Sequence, residues 1–261
     1  ETGAGSLLAR VFVNRVWHYH FGQGIVATPS DFGKQGENPS HPELLEWLAT
    51  DFFEHGWDIK RLQKQIMTSA VYRQSSQFVA YKSTSDIDNR LLWRYEPRRA
   101  EAEVIRDSLL DVSDLLERIQ FGPGTRDSEM LRRSIYFFIK RAALIPEMTI
   151  FDWPEHLVGI GQRASTTIAP QALQFLNGPQ TRRYAEGLAK RLSKDESLEI
   201  QIKQAYELVL NRFPRNEETA VGIEFIQTQQ STYRDQGYEE QHALIDYCQS
   251  LLSLNEFLYI R

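Results

Sequence analysis

Cysteine, excess basic charge and long hydrophobic runs are what this 261-residue chain lacks most clearly. Its single cysteine, Cys248, excludes an internal disulfide, a haem-attachment Cys-x-x-Cys-His segment and a four-cysteine zinc site. Thirty basic residues stand against 35 acidic ones, and the net charge of −5 leaves no cationic excess for phosphates. We therefore expect no nucleic-acid partner. No run of roughly 18 apolar residues is present, so we expect no membrane-spanning segment in this chain.

The residues that are present suffice for an ordinary globular core. With 41% hydrophobic residues, a chain of this length can bury roughly 70–75% of its unfolded surface without disulfides or a structural metal. We expect no cofactor. The chain begins with Glu1, and its first ten residues lack an apolar signal-peptide core, so we expect a processed chain or an excised domain.

The spacing of apolar residues predicts a mainly α fold with several helices and two long ordered loops. Ser40 and Glu43 have the spacing of a capping box at the start of a helix, and Asp58 is placed to cap the next one. Glycine and proline predict the two long loops, residues 22–39 and 146–169. Helices are expected at residues 7–21, 41–55, 58–72, 97–118, 170–177, 179–193, 196–211, 216–235 and 239–254.

The β content is expected to be at most one small element. Residues 134–139 (SIYFFI) are β-branched and aromatic and are too few for a helix, which predicts a short strand. We interpret residues 1–261 as one domain. All five tryptophans precede residue 154, which suggests a subdivision into a helix-and-loop core over 1–178 and a C-terminal helical part over 179–261.

Seven motifs in order carry a resemblance to a known family. They are NRVWHYHFGQGIVATPSDFGKQGENPSHPELLEWLA, GWDIKRLQKQIMTSAVYRQSS, DNRLLWRYEPRRAEAEVIRDSLL, RRSIYFFIKR, FDWPE, TTIAPQALQFLN and LLSLNEFLYIR. Together they resemble the bacterial domain of unknown function 1553, a planctomycete surface-type domain. The resemblance implies a periplasmic or cell-surface location and neighbouring domains that include a cytochrome c module. It supplies no reaction.

Two functional hypotheses follow from the resemblance and from the missing enzyme motifs. The first is an extracytoplasmic interaction or scaffolding module of a cytochrome-associated multidomain protein, linked to polysaccharide utilisation. The alternative is a carbohydrate-active hydrolase or lyase. The sequence has no Gly-x-Ser-x-Gly elbow, phosphate loop, dinucleotide fingerprint or His-Glu-x-x-His, so common hydrolase, kinase, dehydrogenase and zinc-protease chemistry lacks support.

The enzyme hypothesis has its own candidate catalytic residues. Asp31 lies in a glycine-flanked loop, and His41 stands at the next helix start, where the two could act as base and acid. Glu103 and Asp107, on the central helix predicted over residues 97–118, would supply the further carboxylates. The structural alternative is that Asp31 caps a turn and that the central-helix charges form a solvated face.

Several arginines are candidates for binding an anion or a substrate. Arg163 and Thr166 precede a helix start, where backbone amides bind anions readily, although a threonine there also serves as a simple cap. Arg99 and Arg106 belong to the polar patch of the central helix and would form part of a carboxylate-binding or sugar-binding floor.

The first helix raises two further questions. Arg15 falls in the middle of its predicted apolar stripe, so we expect a buried ion pair that fixes the structure, with Asp31 the first choice of partner and Glu101 the second. His18 and His20 point about 200° apart on a helix and cannot chelate one ion there, which favours two surface histidines, with His18 bonded to Asn14. We therefore expect no metal site.

Overall fold

The computed structural model describes residues 3–140, 143–154, 159–193 and 196–260. Contacts divide these residues into two compact units. Unit one contains residues 3–98 and 159–162. Unit two contains residues 99–140, 143–154, 163–193 and 196–260. The division falls between Arg98 and Arg99, and not at the predicted boundary between residues 178 and 179.

Unit one is a small helical assembly. Its helices are α1 (Gly3–Phe21), α2 (Pro42–Glu54), α3 (Ile59–Thr68) and the short α4 (Ala80–Ser83). The first helix packs against both α2 and α3. The core between them contains the buried side chains of Val13, Trp17, Leu48, Phe52 and Leu62.

The two predicted helix starts in unit one have different outcomes. Asp58 caps α3 as predicted, because its carboxylate accepts a hydrogen bond from the backbone N–H of Arg61 at 3.1 Å. The predicted capping box of α2 is wrong. His41 is the N-cap residue, and the Ser40 hydroxyl donates instead to the carbonyl of Ile25 at 3.2 Å.

Unit two is larger and is built mainly of helices. They are α5 (Ala102–Val112), α6 (Pro146–Thr149), α7 (Ala169–Asn177), α8 (Pro179–Arg191), α9 (Leu198–Leu210), α10 (Asn216–Asp235), α11 (His242–Leu252) and α12 (Asn255–Leu258). Helix α8 packs on α5, α7 and α11, so a boundary at residue 178 would cut through one core. The mainly α prediction is confirmed.

The small β element lies elsewhere than predicted. Strands β1 (Arg98–Arg99) and β2 (Tyr259–Ile260) form a two-stranded antiparallel sheet. The predicted strand at residues 134–139 is wrong, because Ser134–Tyr136 form a 3-10 turn. The backbone N–H of Ser134 is taken by the carboxylate of Asp107 at 2.7 Å, and Phe137 forms only an isolated parallel bridge with Thr125.

No helix in the described ranges combines the length and the hydrophobicity that crossing a bilayer requires.

Candidate functional site

Unit one contains a cavity of about 610 Å³, which we call the Arg98 cavity. Volumes of this order are typical of sites for small molecules. The end of α1, the loop that follows it and residues 88–98 form its walls. Its lining residues are Trp17, Phe21, Gly22, Gln23, Gly24, Ile25, Ala27, Glu37, Asn38, Ser40, Asp88, Asn89, Arg90, Leu92, Arg94, Glu96 and Arg98.

A buried asparagine shapes the wall that follows α1. The Asn14 side chain is fully buried, accepts from the N–H of Val26 at 2.8 Å and donates to its carbonyl at 3.0 Å. This pairing folds the chain back over the end of α1. Gly24 fits there because a Cβ would lie 2.7 Å from the Asn14 Nδ2. The predicted Asn14–His18 pair is therefore wrong.

The opposite wall is a tightly bonded loop, residues 86–95, which we call the rim loop. The Asp86 carboxylate caps the backbone N–H groups of Arg90 at 2.9 Å and Leu91 at 2.7 Å. The buried Asn89 amide donates to the carbonyl of Arg94 at 2.9 Å and accepts from its N–H at 3.3 Å. These bonds hold the loop in one conformation without regular secondary structure.

Backbone strain accompanies this organisation. Asn89 and Leu92 have φ values of 52° and 56°, in the left-handed region that a leucine rarely adopts. Such outliers cost about 1–3 kcal/mol, persist where the surroundings impose them, and cluster at functional sites. Both residues line the Arg98 cavity, so the strain marks the cavity as the candidate site of unit one.

The cavity wall carries charges of both signs. Its cations are Arg90, Arg94 and Arg98, and its acids are Glu37, Asp88 and Glu96. Arg94 pairs with Glu96 at 2.8 Å and its guanidinium lies over the rings of Trp93 and Phe78. The Nε groups of Arg94 and Arg98 are buried and lack a hydrogen-bond partner in the described residues.

The predicted catalytic residues of unit one do not line this cavity. The Asp31 carboxylate accepts from the backbone N–H of Gly33 at 2.7 Å, which is the turn-capping role of the structural alternative. The His41 Nδ1 lies 3.0 Å from the Ser40 hydroxyl. Arg15 is exposed and forms no ion pair with Asp31, so the predicted buried pair is wrong. The apolar residues of α1 surround the helix, and the buried stripe runs through Val13 instead.

Unit two brings several predicted residues together in an ion-pair cluster. The Glu103 carboxylate accepts from Arg163 at 2.7 Å and from the indole N–H of Trp153 at 3.0 Å. Burial acts to raise the pKa of Glu103, but these hydrogen bonds and the charge of Arg163 outweigh it and lower the pKa. The predicted catalytic acid is thus held as a carboxylate by the predicted anion-binding arginine.

Arg99 and Thr166 meet at a second carboxylate of this unit. Thr166 donates to Asp152 from its backbone N–H and from its hydroxyl, both at 2.8 Å, and the Arg99 guanidinium pairs with the same side chain. Asp152 has a φ of 64°. The predicted anion-binding groups Arg99, Arg163 and Thr166 therefore hold carboxylates of this chain.

The last two predicted site residues fix the segment after residue 129. Asp107 accepts from Ser134 N–H and from Arg133 Nε at 3.1 Å. Arg106 is buried over the ring of Phe137 and donates to the carbonyl of Met130, to that of Arg132 and to the Ser134 hydroxyl. Burial lowers the pKa of Arg106. These contacts are those of a structural anchor.

Within the described part of the chain, no group of three or more His, Cys, Asp or Glu side chains is placed to hold a metal ion. The Arg98 cavity was not predicted from the sequence. A local signal exists, because Arg90, Arg94 and Arg98 recur every four residues. That spacing suggests one face of a helix, whereas the residues form the rim loop and β1.

Comparison with known proteins agrees with the sequence motifs. The sequence model of a family described as PSD1, protein of unknown function (DUF1553), matches residues 3–226. No curated protein and no solved structure matches the chain. The suspected family is therefore confirmed.

Proposed function

Because the chain belongs to the PSD1 family of proteins of unknown function, we propose a function from the geometry of its cavity. The chain is the interaction module of an extracytoplasmic multidomain protein that also carries a cytochrome c module. Its ligand site is the Arg98 cavity, and its ligand is a saccharide, in keeping with a role in polysaccharide utilisation.

The observation that carries this proposal is the mixed lining of a preformed cavity. Saccharide hydroxyls both donate and accept hydrogen bonds, so a site for them needs donors and acceptors side by side. The cavity offers arginine donors at Arg90 and Arg94 and carboxylate acceptors at Glu37 and Asp88. The side-chain amide of Asn38 can both donate and accept a hydrogen bond. The bonded rim loop holds the backbone of Asp88, Arg90 and Arg94 in place before a ligand arrives, which reduces the ordering cost of binding.

The same geometry favours binding over catalysis. Asp31 caps a turn, Glu103 pairs with Arg163, and Asp107 holds the Ser134 backbone. A general acid or base must exchange its proton with the substrate, which these structural bonds oppose. The carbohydrate-active enzyme therefore ranks second to the binding module.

Calorimetric titration of the purified chain with oligosaccharides tests the proposal. We expect saturable binding of at least one oligosaccharide and its loss in Ala27→Trp, because an indole at this lining position fills the cavity. Ala80→Trp on exposed α4 is the matched control and should bind as the wild type does. Absence of saturable binding, or equal binding by Ala27→Trp, would contradict the proposal.

Two further measurements test its other parts. Chromatography of the titrated oligosaccharides should show them intact, whereas shortened products would favour the enzyme alternative. The parent gene should encode an export signal and a Cys-x-x-Cys-His segment. A parent gene without either would contradict the extracytoplasmic, cytochrome-associated context.

A further inference from the structure

The charge of the ligand can be inferred from one residue of the Arg98 cavity, on the premise that the proposed saccharide binding is correct. We propose that Arg98 binds an oxyanion group of the ligand, either a carboxylate or a sulfate ester. The domain would then select acidic saccharides over neutral ones.

Arg98 is an arginine with unused hydrogen-bonding capacity on a cavity wall. A guanidinium has five N–H donors and no acceptor. The side chain of Arg98 forms no hydrogen bond and no ion pair with any described residue, and its Nε is buried. A buried donor without an acceptor is unfavourable, and an oxyanion would satisfy several of these donors at once.

The other arginines of the cavity are placed differently. Arg94 already has a carboxylate partner in Glu96 and is fixed by two aromatic rings. Arg90 is exposed on the rim loop. Of the three cations, Arg98 thus combines partial burial with the absence of a carboxylate partner in the described residues.

The position of Arg98 is set by the end of α1. The helix ends at Phe21, and Gly22 follows with a φ of 81°, where a side chain would be strained. A Cβ at Gly22 would lie 3.4 Å from the Cδ of Arg98, so the aliphatic part of the arginine packs over this glycine. The guanidinium is therefore held at the wall before any ligand binds.

Charges near Arg98 support an anion at this wall. Burial lowers the pKa of both His18 and His20, and the charge of Arg98 lowers each further, with Arg15 adding to the effect on His18. Both imidazoles are therefore neutral near pH 7, and Arg98 supplies the positive charge. Of the acids that line the cavity, Glu96 is paired with Arg94. Glu37 and Asp88 are available as acceptors for hydroxyls.

Binding of matched probes tests the assignment. Galactan, galacturonan and sulfated galactan oligosaccharides of equal length are titrated into the wild type, Arg98→Gln and Arg15→Gln at pH 7. We expect the wild type to bind one acidic probe at least tenfold more tightly than the neutral probe. Arg98→Gln should lower that acidic affinity by about ten- to a hundredfold and change the neutral affinity far less.

Two variants make the result specific to this side chain. Arg15→Gln removes a charge of the same sign from the exposed face of α1 and should bind as the wild type does. Arg98→Lys keeps the charge but loses the planar fork, so we expect an intermediate affinity. Circular dichroism spectra identical to that of the wild type establish that each variant is folded.

The outcomes separate this inference from the proposed function. Equal affinity for acidic and neutral probes, or an acidic preference that survives in Arg98→Gln, would overturn the role of Arg98 while leaving the cavity as a saccharide site. Failure of every probe to bind the wild type would overturn the saccharide proposal itself. The acidic probe that binds more tightly distinguishes a carboxylate from a sulfate ester.

Discussion

The side-chain amide of Asn14 satisfies both the N–H and the carbonyl of Val26, which lies twelve residues further along the chain. Both residues are buried, so neither backbone group has water as a substitute partner. A single polar side chain inside a helical core therefore determines the path of the loop that forms one wall of the Arg98 cavity. Hydrogen-bonded polar groups in a core serve structure when every partner is satisfied.

Replacing Asn14 by leucine should destabilise the protein through this loop. The variant keeps the number and branching of the side-chain heavy atoms but leaves two backbone groups of Val26 buried without partners, at about 1–3 kcal/mol each. We expect the free energy of unfolding, measured in urea, to fall by about 2–5 kcal/mol. Asn177→Leu, at an exposed position, is the control and should change it by less than about 0.5 kcal/mol. If the free energy of unfolding of Asn14→Leu equals that of the wild type, water or another group replaces the amide.

Replacing Phe121 by glycine is expected to stabilise the protein. Its φ is 65° and its side chain is 80% exposed, so the backbone is strained while the aromatic ring makes no compensating core contact. The left-handed conformation costs an L-residue about 1–2 kcal/mol. Glycine avoids this steric cost but loses about 0.5–1 kcal/mol through its larger conformational entropy in the unfolded chain. Phe121→Gly should therefore raise the free energy of unfolding by up to about 1 kcal/mol.

A second exposed phenylalanine provides the comparison for Phe121→Gly. Phe138 is 55% exposed and is not among the residues with positive φ, so Phe138→Gly has no strain to relieve and should destabilise. Urea unfolding measures the free energy of unfolding of both variants relative to the wild type. A loss of stability in Phe121→Gly equal to that in Phe138→Gly would show that the strain is absent in solution.

The sequence predicts the helices of this chain better than its site. Helices α8 to α11 lie close to their predicted ranges, because apolar periodicity and the Asn-Gly-Pro punctuation are local signals. The first helix shows where such a signal fails. Apolar residues occur on all sides of α1. A helical-wheel projection therefore cannot distinguish a face centred on Arg15 from the face that is buried, which contains Val13 and Asn14.

The Arg98 cavity depends on relationships that no local pattern carries. Its walls combine the end of α1 with residues more than sixty positions later, and Asn89 and Leu92 adopt backbone conformations that their residue types disfavour. Periodicity cannot predict a loop held by side-chain caps such as Asp86. The charged residues of α5 were recognisable as a cluster, but only their partners in unit two show that Glu103 and Asp107 are engaged.

The stability of the protein at low pH should depend on Glu218. Hydrogen bonds from Arg212 and Arg215 hold the pKa of this carboxyl well below its usual range. A depressed folded-state pKa contributes stability above the unfolded value of about 4.3, and that stability is lost as the pH falls toward the folded value. Wild-type stability should therefore fall more steeply between pH 5 and pH 3 than that of Glu218→Gln.

Glu224 is the matched control for the acid experiment, because it lies exposed on the same helix without an ion pair among the described residues. Glu224→Gln should keep the wild-type pH dependence in urea unfolding measured from pH 7 to pH 3. If Glu218→Gln has the same slope as Glu224→Gln, the pairing of Glu218 with its arginines does not contribute to the acid lability of the fold.

The two histidines of α1 report the charge of Arg98 directly, without any ligand. Burial lowers the pKa of His18 and His20, the charge of Arg98 lowers both further, and Arg15 acts on His18 alone. Removing a nearby positive charge favours the imidazolium. Arg98→Gln should therefore raise the pKa of both histidines in an NMR titration, whereas Arg15→Gln should raise that of His18 and leave His20 unchanged. If His20 titrates identically in the wild type and in Arg98→Gln, the guanidinium does not lie at the end of α1, and the wall on which an oxyanion would bind is absent in solution.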